Sequence, residues 1–348
     1  KGEDREMGSQ PQTHVNPERL MQITWSFAQP LAIGSAIQNR VFDVLDSGPK
    51  SVAEISKETG ASVRGLTAVM NLLAHINLLA KLSDGRYSLT PESAAFLVSS
   101  KPGYMGGFIR QVGTRLAEGF LQLPEVMRTG TPPEGEESER PEAAAFFEEL
   151  VVDIMPLAFP PAQKLAEVLG LSRATQPISV LDLASGSGAW GIALAQASPQ
   201  VSVTAVDWPS VLTVTRRIAG RYGVAERFHD LGGDLFKVDY GKDHSIATLG
   251  NILHMLGPTE NKTLLKKTFD ALAPGGTIAI GEFLVDDDRN GPLVPLTFAI
   301  NMLLHTKNGN AYTFAEIRSW LEEAGFVNAR LQEAPGPSPL VLAEKPRP

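Results

Sequence analysis

The sequence contains no cysteine. That absence excludes disulfides, thiolate zinc sites and a cysteine nucleophile, argues against a metal centre, and is compatible with a reducing cytoplasm. Positive charge is also scarce: 31 Lys and Arg against 39 Asp and Glu leave a formal charge of −8. A chain of this sign offers no general attraction to phosphate backbones, so nucleic acid is not an expected partner. Long apolar runs are missing as well. No stretch approaches the roughly 18 residues that span a bilayer, and the charged residues 1–6 lead into polar sequence without the apolar core of a signal peptide. No membrane partner is expected, and the expected location is cytoplasmic. What is present is 348 residues, 43% of them hydrophobic, enough for two domains that each bury a core.

The most informative segment is 178–207. Ile178, Val180, Leu181 and Leu183 form a short apolar run flanked by turn residues, which predicts a strand buried on both faces of a parallel sheet. Gly186 and Gly188 follow. They let the backbone reach positive φ and approach a ligand with no Cβ in the way, while the next helix aims its free N–H groups at that ligand. Val201, Val203 and Val206 predict a second strand closed by Asp207, whose carboxylate stands where it can hold a ribose hydroxyl pair. This is a nucleotide-binding βαβ unit. The glycines alone leave the nucleotide open, because Gly186, Gly188 and Gly191 also satisfy the dinucleotide spacing G-x-G-x-x-G. Asp182, just before the turn, would repel a pyrophosphate but attract a cation such as the sulfonium and amino group of S-adenosylmethionine. A packing turn without a ligand is the third reading.

Upstream, Asn16-Pro17 caps a helical stretch with Leu20, Ile23, Phe27 and Leu31 at helical spacing, and the residues before it read as a disordered leader, 1–15. Residues 51–54 form a capping box that starts a short helix, Thr59-Gly60 ends it, and Ser62 opens a second helix with Leu66, Val69, Leu72, Leu73 and Ile76 on one face. Residues 78–82 and 86–89 around Asp84-Gly85 read as a hairpin, and Thr90-Pro91 caps the next helix. The pattern is a winged helix. Arg64 is the residue a DNA-reading version would use, but its helix is apolar and sparsely basic. The Pro-, Gly- and Glu-rich stretch 129–140 reads as an exposed loop, and the domain boundary is drawn near Pro141. Helices are expected at 143–155 and 162–169 around kinks at Pro156 and Pro160-Pro161, an amphipathic helix at 314–324, and a hairpin of strands 327–332 and 339–343 at the end.

Downstream of Asp207, Gly233-Asp234-Leu235-Phe236 follows a third strand position, 247–253 reads as a fourth strand leading into His254, and Leu272-Ala273-Pro274-Gly275-Gly276 ends a helix before a strand at 277–283. In this order and spacing, the motifs resemble the class I S-adenosylmethionine-dependent methyltransferases. More narrowly, they resemble the plant and bacterial small-molecule O-methyltransferases with an N-terminal winged-helix dimerisation domain, from about Pro17 to Lys345. The resemblance implies an α/β fold, a Rossmann-like methyltransferase sheet at 141–348 with one antiparallel strand from the terminal hairpin, a mainly α-helical winged-helix domain at 16–140, and a homodimer.

It also implies roles. Asp207 would bind the ribose, Gly186 and Gly188 the methionine end, and Asp234 with Leu235 the adenine of S-adenosyl-L-methionine. Asp182 would act around the amino acid moiety or cap the turn, and Trp208 would pack on the adenine or shield the strand end. His254 matches the family's catalytic base and Glu282 the acid that orients it. Two departures stand out: the usual Leu-His-Asp-Trp reads Leu253-His254-Met255-Leu256, and the second acid of a Gly-x-Glu-Arg-Thr segment is missing from Gly309-Asn310-Ala311-Tyr312-Thr313. Methyl transfer to a hydroxyl needs alignment and removal of a proton, which an imidazole suits near neutral pH. Phe147, Met155, Phe159, Phe298, Met302 and His305 are candidates for an apolar acceptor pocket, and each also suits the core. Such a pocket favours an aromatic or polyketide-like acceptor. The alternatives are the same donor site used for N- or C-methylation, for decarboxylation or pericyclic chemistry, and a ligand-sensing DNA regulator.

Overall fold

A computed structural model describes residues 16–132 and 141–348. The expected leader at 1–15 and most of the expected exposed loop lie outside the described residues. Two compact units divide between Ser99 and Ser100. Residues 100–132 therefore group with the second unit, whereas the sequence boundary was drawn near Pro141.

The first unit runs α1 (Glu18–Trp25), α2 (Ala28–Gln38), α3 (Val41–Leu45), α4 (Val52–Thr59), α5 (Val63–His75), β1 (Leu79–Lys81), β2 (Tyr87–Leu89) and α6 (Pro91–Phe96). Its boundaries follow the local chemistry. Ser51 and Glu54 form a reciprocal capping box at α4, Gly60 ends that helix in the left-handed region, Ser62 caps α5 through the Gly65 N–H, and Thr90 caps α6. The wing pairs Leu79 with Leu89 in antiparallel register. Leu66, Met70 and Leu73 bury one face of α5. By contrast, Leu20, Met21, Ile23, Trp25 and Phe27 on α1 and its junction to α2 are exposed by 53 to 67%.

The second unit begins with α7 (Gly106–Gln111), a π-helical segment at Val112–Leu116, α8 (Ala117–Phe120), α9 (Leu123–Thr129), α10 (Pro141–Asp153) and α11 (Met155–Val168). α11 passes through Pro160 and Pro161 without breaking. The helix expected at 162–169 thus begins already at Met155 and takes in Pro156, Pro160 and Pro161, which only deprive the carbonyls one turn earlier of their helical donors.

There follow β3 (Ile178–Leu183), α12 (Ala189–Ala197), β4 (Val201–Asp207), α13 (Pro209–Arg221), β5 (Phe228–Gly232), β6 (His244–Gly250), α14 (Pro258–Ala271), β7 (Leu272–Gly281), β8 (Leu284–Val285), α15 (Leu293–His305), β9 (Tyr312–Thr313), α16 (Phe314–Ala324), β10 (Val327–Gln332) and β11 (Leu340–Glu344). The main sheet has the order β10-β11-β7-β6-β3-β4-β5. β3, β4, β5, β6 and β7 run parallel, and β11 enters antiparallel to both β7 and β10. This is a Rossmann-like sheet with its single antiparallel strand supplied by the terminal hairpin, as the resemblance implied. The side chains of β3 alternate: Val180 belongs to a core under α11, α12 and α13, while Leu181 and Leu183 belong to a core under α14 and α16.

Two strands, β6 and β7, have boundaries that differ from expectation. β6 ends at Gly250, not residue 253, because Asn251 turns into the left-handed region and donates its N–H to the Gly281 carbonyl. β7 begins at Leu272 and ends at Gly281, since the Ala273-Pro274-Gly275-Gly276 stretch is bridged to Lys345 in both directions and does not form a free turn. His254 and Glu282 consequently lie just past strand ends.

Candidate active site

The carboxyl ends of β3, β4, β6 and β7 come level because Leu183 pairs with Val206 and Leu249, and Gly250 pairs with Gly281. β3 has β4 on one side and β6 on the other, so the connections leaving it diverge and open a crevice at these ends, where ligands bind in open α/β sheets.

On the β3–β4 side, Ala184, Gly186 and Gly188 all take positive φ. The turn is held from below: the Thr215 hydroxyl donates to the Gly186 carbonyl at 2.7 Å. Asp207 accepts from the Gly186 N–H and from its neighbour Trp208 N–H, each at 2.8 Å. Burial pushes the Asp207 carboxyl above its ordinary range, against the pull of those two N–H groups. Asp182 is fully buried, one oxygen on the Gly191 N–H at 3.0 Å and the other on the Thr248 hydroxyl at 2.7 Å. Burial is the main cause that raises its carboxyl to about 7, with nearby Asp207 adding in the same direction. Asp182 thus ties β3 to β6 and to the start of α12.

Gly233, Asp234 and Leu235 follow β5. Asp234 accepts from the Phe236 N–H and pairs with Lys237, which hold its carboxyl below the usual range. The Leu235 carbonyl is gripped by the Tyr240 hydroxyl and by Lys267 Nζ, the latter lying 4.0 Å over the Tyr240 ring.

Across the crevice, His254 sits on a short 3₁₀ turn, Leu253–Met255. Its Nδ1 lies 2.7 Å from Glu282 Oε1, and its backbone N–H reaches Oε2 at 3.2 Å. Glu282 is completely buried and His254 is 6% exposed. An ionised carboxylate only accepts, so the contact to Glu282 is made by an Nδ1–H and the lone-pair nitrogen of the uncharged tautomer that fits it is Nε2. Phe298 of α15 meets the imidazole edge-on, centroids 4.7 Å apart, and Phe283 packs on Phe298 at 4.5 Å. The His254 carbonyl accepts from Asn310 at 2.9 Å, and the loop passes so close that a Cβ on Gly309 would sit 2.3 Å from that oxygen. The segment lacking the family's second acid therefore touches the His254 turn through its backbone.

The pocket candidates fall into two groups. Phe298, Met302 and His305 share one side of α15, and His305 abuts Gly119 of α8. Phe147, Met155 and Phe159 pack instead against the core beneath α12 and α13, with the Phe159 ring tilted against Tyr222, centroids 5.2 Å apart. Trp208 packs against the same core.

Residues not singled out from sequence complete the floor. Trp190 lies across the ends of β6 and β7, where a Cβ on Gly250 or Gly281 would approach its indole to 1.9 or 2.4 Å. A tryptophan among the small residues of α12 was a usable signal. Thr248, Thr215 and Asn261 were invisible because their roles are tertiary. A surface groove of about 440 Å³ near Pro160, Gln163 and Pro335 involves none of these residues. Among the described residues no group of three or more His, Asp or Glu side chains is arranged to hold a metal, and no helix is long and apolar enough to cross a membrane.

A model of the O-methyltransferase domain matches residues 142–327. The chain belongs to this family. A second model, the O-methyltransferase dimerisation domain, matches residues 21–99. Among curated relatives, the 3-hydroxy-5-methyl-1-naphthoate 3-O-methyltransferase of Streptomyces sahachiroi is 30% identical over 96% of this chain and 97% of its own length. The tetracenomycin polyketide synthesis 8-O-methyl transferase of Streptomyces glaucescens is 28% identical over 97% of this chain and 99% of its own. A solved structure from Nostoc punctiforme superposes with a TM-score of 0.85 at 31% identity, covering 95% of this chain and 99% of that one.

The protein is thus an S-adenosylmethionine-dependent methyltransferase, and its crevice fits that cofactor. Ser185 Oγ, in the glycine turn at the mouth of the crevice, is buried with no hydrogen-bond partner, which leaves a polar atom for such a ligand to satisfy.

Proposed function

We propose that this O-methyltransferase methylates a hydroxyl of a small aromatic or polyketide-like acceptor, with His254 as general base and Glu282 as the acid that orients it. The buried 2.7 Å contact between Nδ1 and Glu282 carries the proposal, because it commits the ring to the tautomer whose Nε2 can take a proton. Asp207 holds the ribose, the Gly186 and Gly188 turn receives the methionine end, Asp234 and Leu235 receive the adenine beside Trp208, and Asp182 braces the turn from beneath. When bound, the cofactor supplies an electrophilic methyl on a sulfonium that leaves as a neutral thioether. Transfer of that methyl to an acceptor oxygen would leave the hydroxyl proton to be removed, and His254 Nε2 would take it.

Phe298, Phe283 and Met302 give the acceptor an apolar wall that suits a flat ring, and Phe147, Met155, Phe159 and His305 extend the candidate lining. The naphthoate and tetracenomycin enzymes named above bear the same kind of acceptor in their names. Of the exposed apolar residues of α1, Met21, Ile23 and Trp25 lie in the segment matched by the dimerisation model, so a homodimer covers them. Ala311 in place of the second acid favours one other reading, transfer to nitrogen or carbon, or a non-methylating reaction at the same donor site.

The test is a transfer assay with methyl-labelled S-adenosylmethionine and hydroxynaphthoate, anthraquinone and catechol probes. Label recovered as aryl methyl ether in wild type and lost in His254→Ala is the expected result. Label on nitrogen or ring carbon, or aryl ether formation unchanged in His254→Ala, overturns it.

A further inference from the structure

Glu282 is not alone in holding His254. Asn261, in the first turns of α14, is fully buried, and its Nδ2 donates to the carbonyls of Leu253 at 3.0 Å and Leu256 at 3.2 Å, one on each side of the His254 turn. The chemistry fixes the amide's orientation, since turning it over would set an oxygen against two carbonyl oxygens. Its other end, Oδ1, is buried with no hydrogen-bond partner. A buried acceptor left unpaired is destabilising, so this side chain is held at some expense to the fold. Satisfying the carbonyls does not require it. Leu253 already accepts from the Leu256 N–H at 3.1 Å, and Leu256 from the Tyr312 hydroxyl at 2.5 Å. What the amide adds is a tie from a packed helix to both flanks of a turn only three residues long.

We propose that Asn261 is a positioning residue for His254, its amide clamping the turn so that Nδ1 stays on Glu282 in a chain that lacks the family's second acid. The inference rests on His254 being the base.

The test is NMR of histidine-labelled full-length protein bound to S-adenosylhomocysteine, with the His254 signals assigned by their loss in His254→Ala. Wild type shows one His254 state with the proton on Nδ1. In Asn261→Leu, which leaves neither carbonyl without a donor, the His254 signals split or broaden into a mixture of tautomers. The His229 and His244 signals stay in place, S-adenosylhomocysteine affinity stays within about twofold, and the methyl-transfer rate falls roughly tenfold. Tyr312→Phe spares the amide and keeps the single state. A His254 spectrum in Asn261→Leu identical to wild type overturns the clamp. If Asn261→Leu displaces every histidine signal, the fold has moved, and Asn261→Ser, which keeps one donor, decides by the same two outcomes. Unchanged methylation in His254→Ala sinks the base assignment instead, and is read separately from the spectra.

Discussion

The donor turn and the acceptor edge occupy neighbouring strand ends of one sheet, yet they are held by different means. Around Gly186 the working atoms are mainly backbone, shaped by positive φ and tied to Asp207 within the βαβ unit and to Thr215 on the helix that follows it. Around His254 the contacts come from Glu282 beyond β7, Phe298 on α15, Asn310 before β9 and Asn261 on α14. The glycine turn is thus shaped largely by one βαβ unit and the helix after it, whereas the His254 side is assembled by the tertiary fold. A chain can keep the first while altering the second, which is the pattern here: glycine turn and Asp207 intact, second acid gone.

Mutations can break or sharpen that contrast. The largest effect is expected on the acceptor side: His254→Ala lowers kcat by about 10²- to 10⁴-fold while the Kd for S-adenosylhomocysteine, measured by calorimetry, barely moves. A comparable loss of donor affinity in that variant would show that the two halves are coupled.

Asp182 supplies the next effect, beneath the donor turn. Its carboxyl is raised to about 7 in the folded protein from 3.8, so the fold holds its proton more tightly than the unfolded chain does. That contribution is fully present below pH 4 and is lost as pH rises through about 7, on the order of 4 kcal/mol at the upper bound. Chemical denaturation from pH 4 to 8 should therefore show falling stability. In Asp182→Asn the slope should shrink without vanishing, because Asp207 is raised in the same direction. Equal slopes in both proteins would remove Asp182 from the account.

Asp207→Ala should reverse the kinetic signature of His254→Ala, weakening S-adenosylhomocysteine by about 10- to 100-fold, as expected for loss of a charge-assisted hydrogen-bond pair, with a smaller change in kcat at saturating donor. The smallest effect is structural. Gly250→Ala or Gly281→Ala drives a methyl into the Trp190 indole and should cost about 1–3 kcal/mol, seen as a lower melting temperature. If Gly281→Ala melts like wild type, Trp190 is free to yield and the floor is softer than described.

Legibility in the sequence follows the same division. Strand β3, the glycine turn, strand β4, the capping box at Ser51, the cap at Thr90 and helix α16 were readable because each is set by periodicity or by a cap within a few residues. The end of β6 was not, since Asn251 turns on account of the Gly281 carbonyl, thirty residues away in sequence. The proline pair of α11 suggested a break because local propensity ignores the packing of that helix against α12 and β7. Pairing His254 with Glu282 came from family pattern, and only the fold shows the amide of Asn261 beside them.

One further consequence follows from the sheet order. Glu282 donates its backbone N–H to Pro339, and β11 lies between β7 and β10, so the acid behind the imidazole is backed by the last strand to be made. Asp207 precedes that strand by roughly 130 residues, a delay on the order of ten seconds at ordinary rates of translation. A nascent chain on the ribosome thus completes the strand that carries Asp207 well before the strand that backs Glu282 is made.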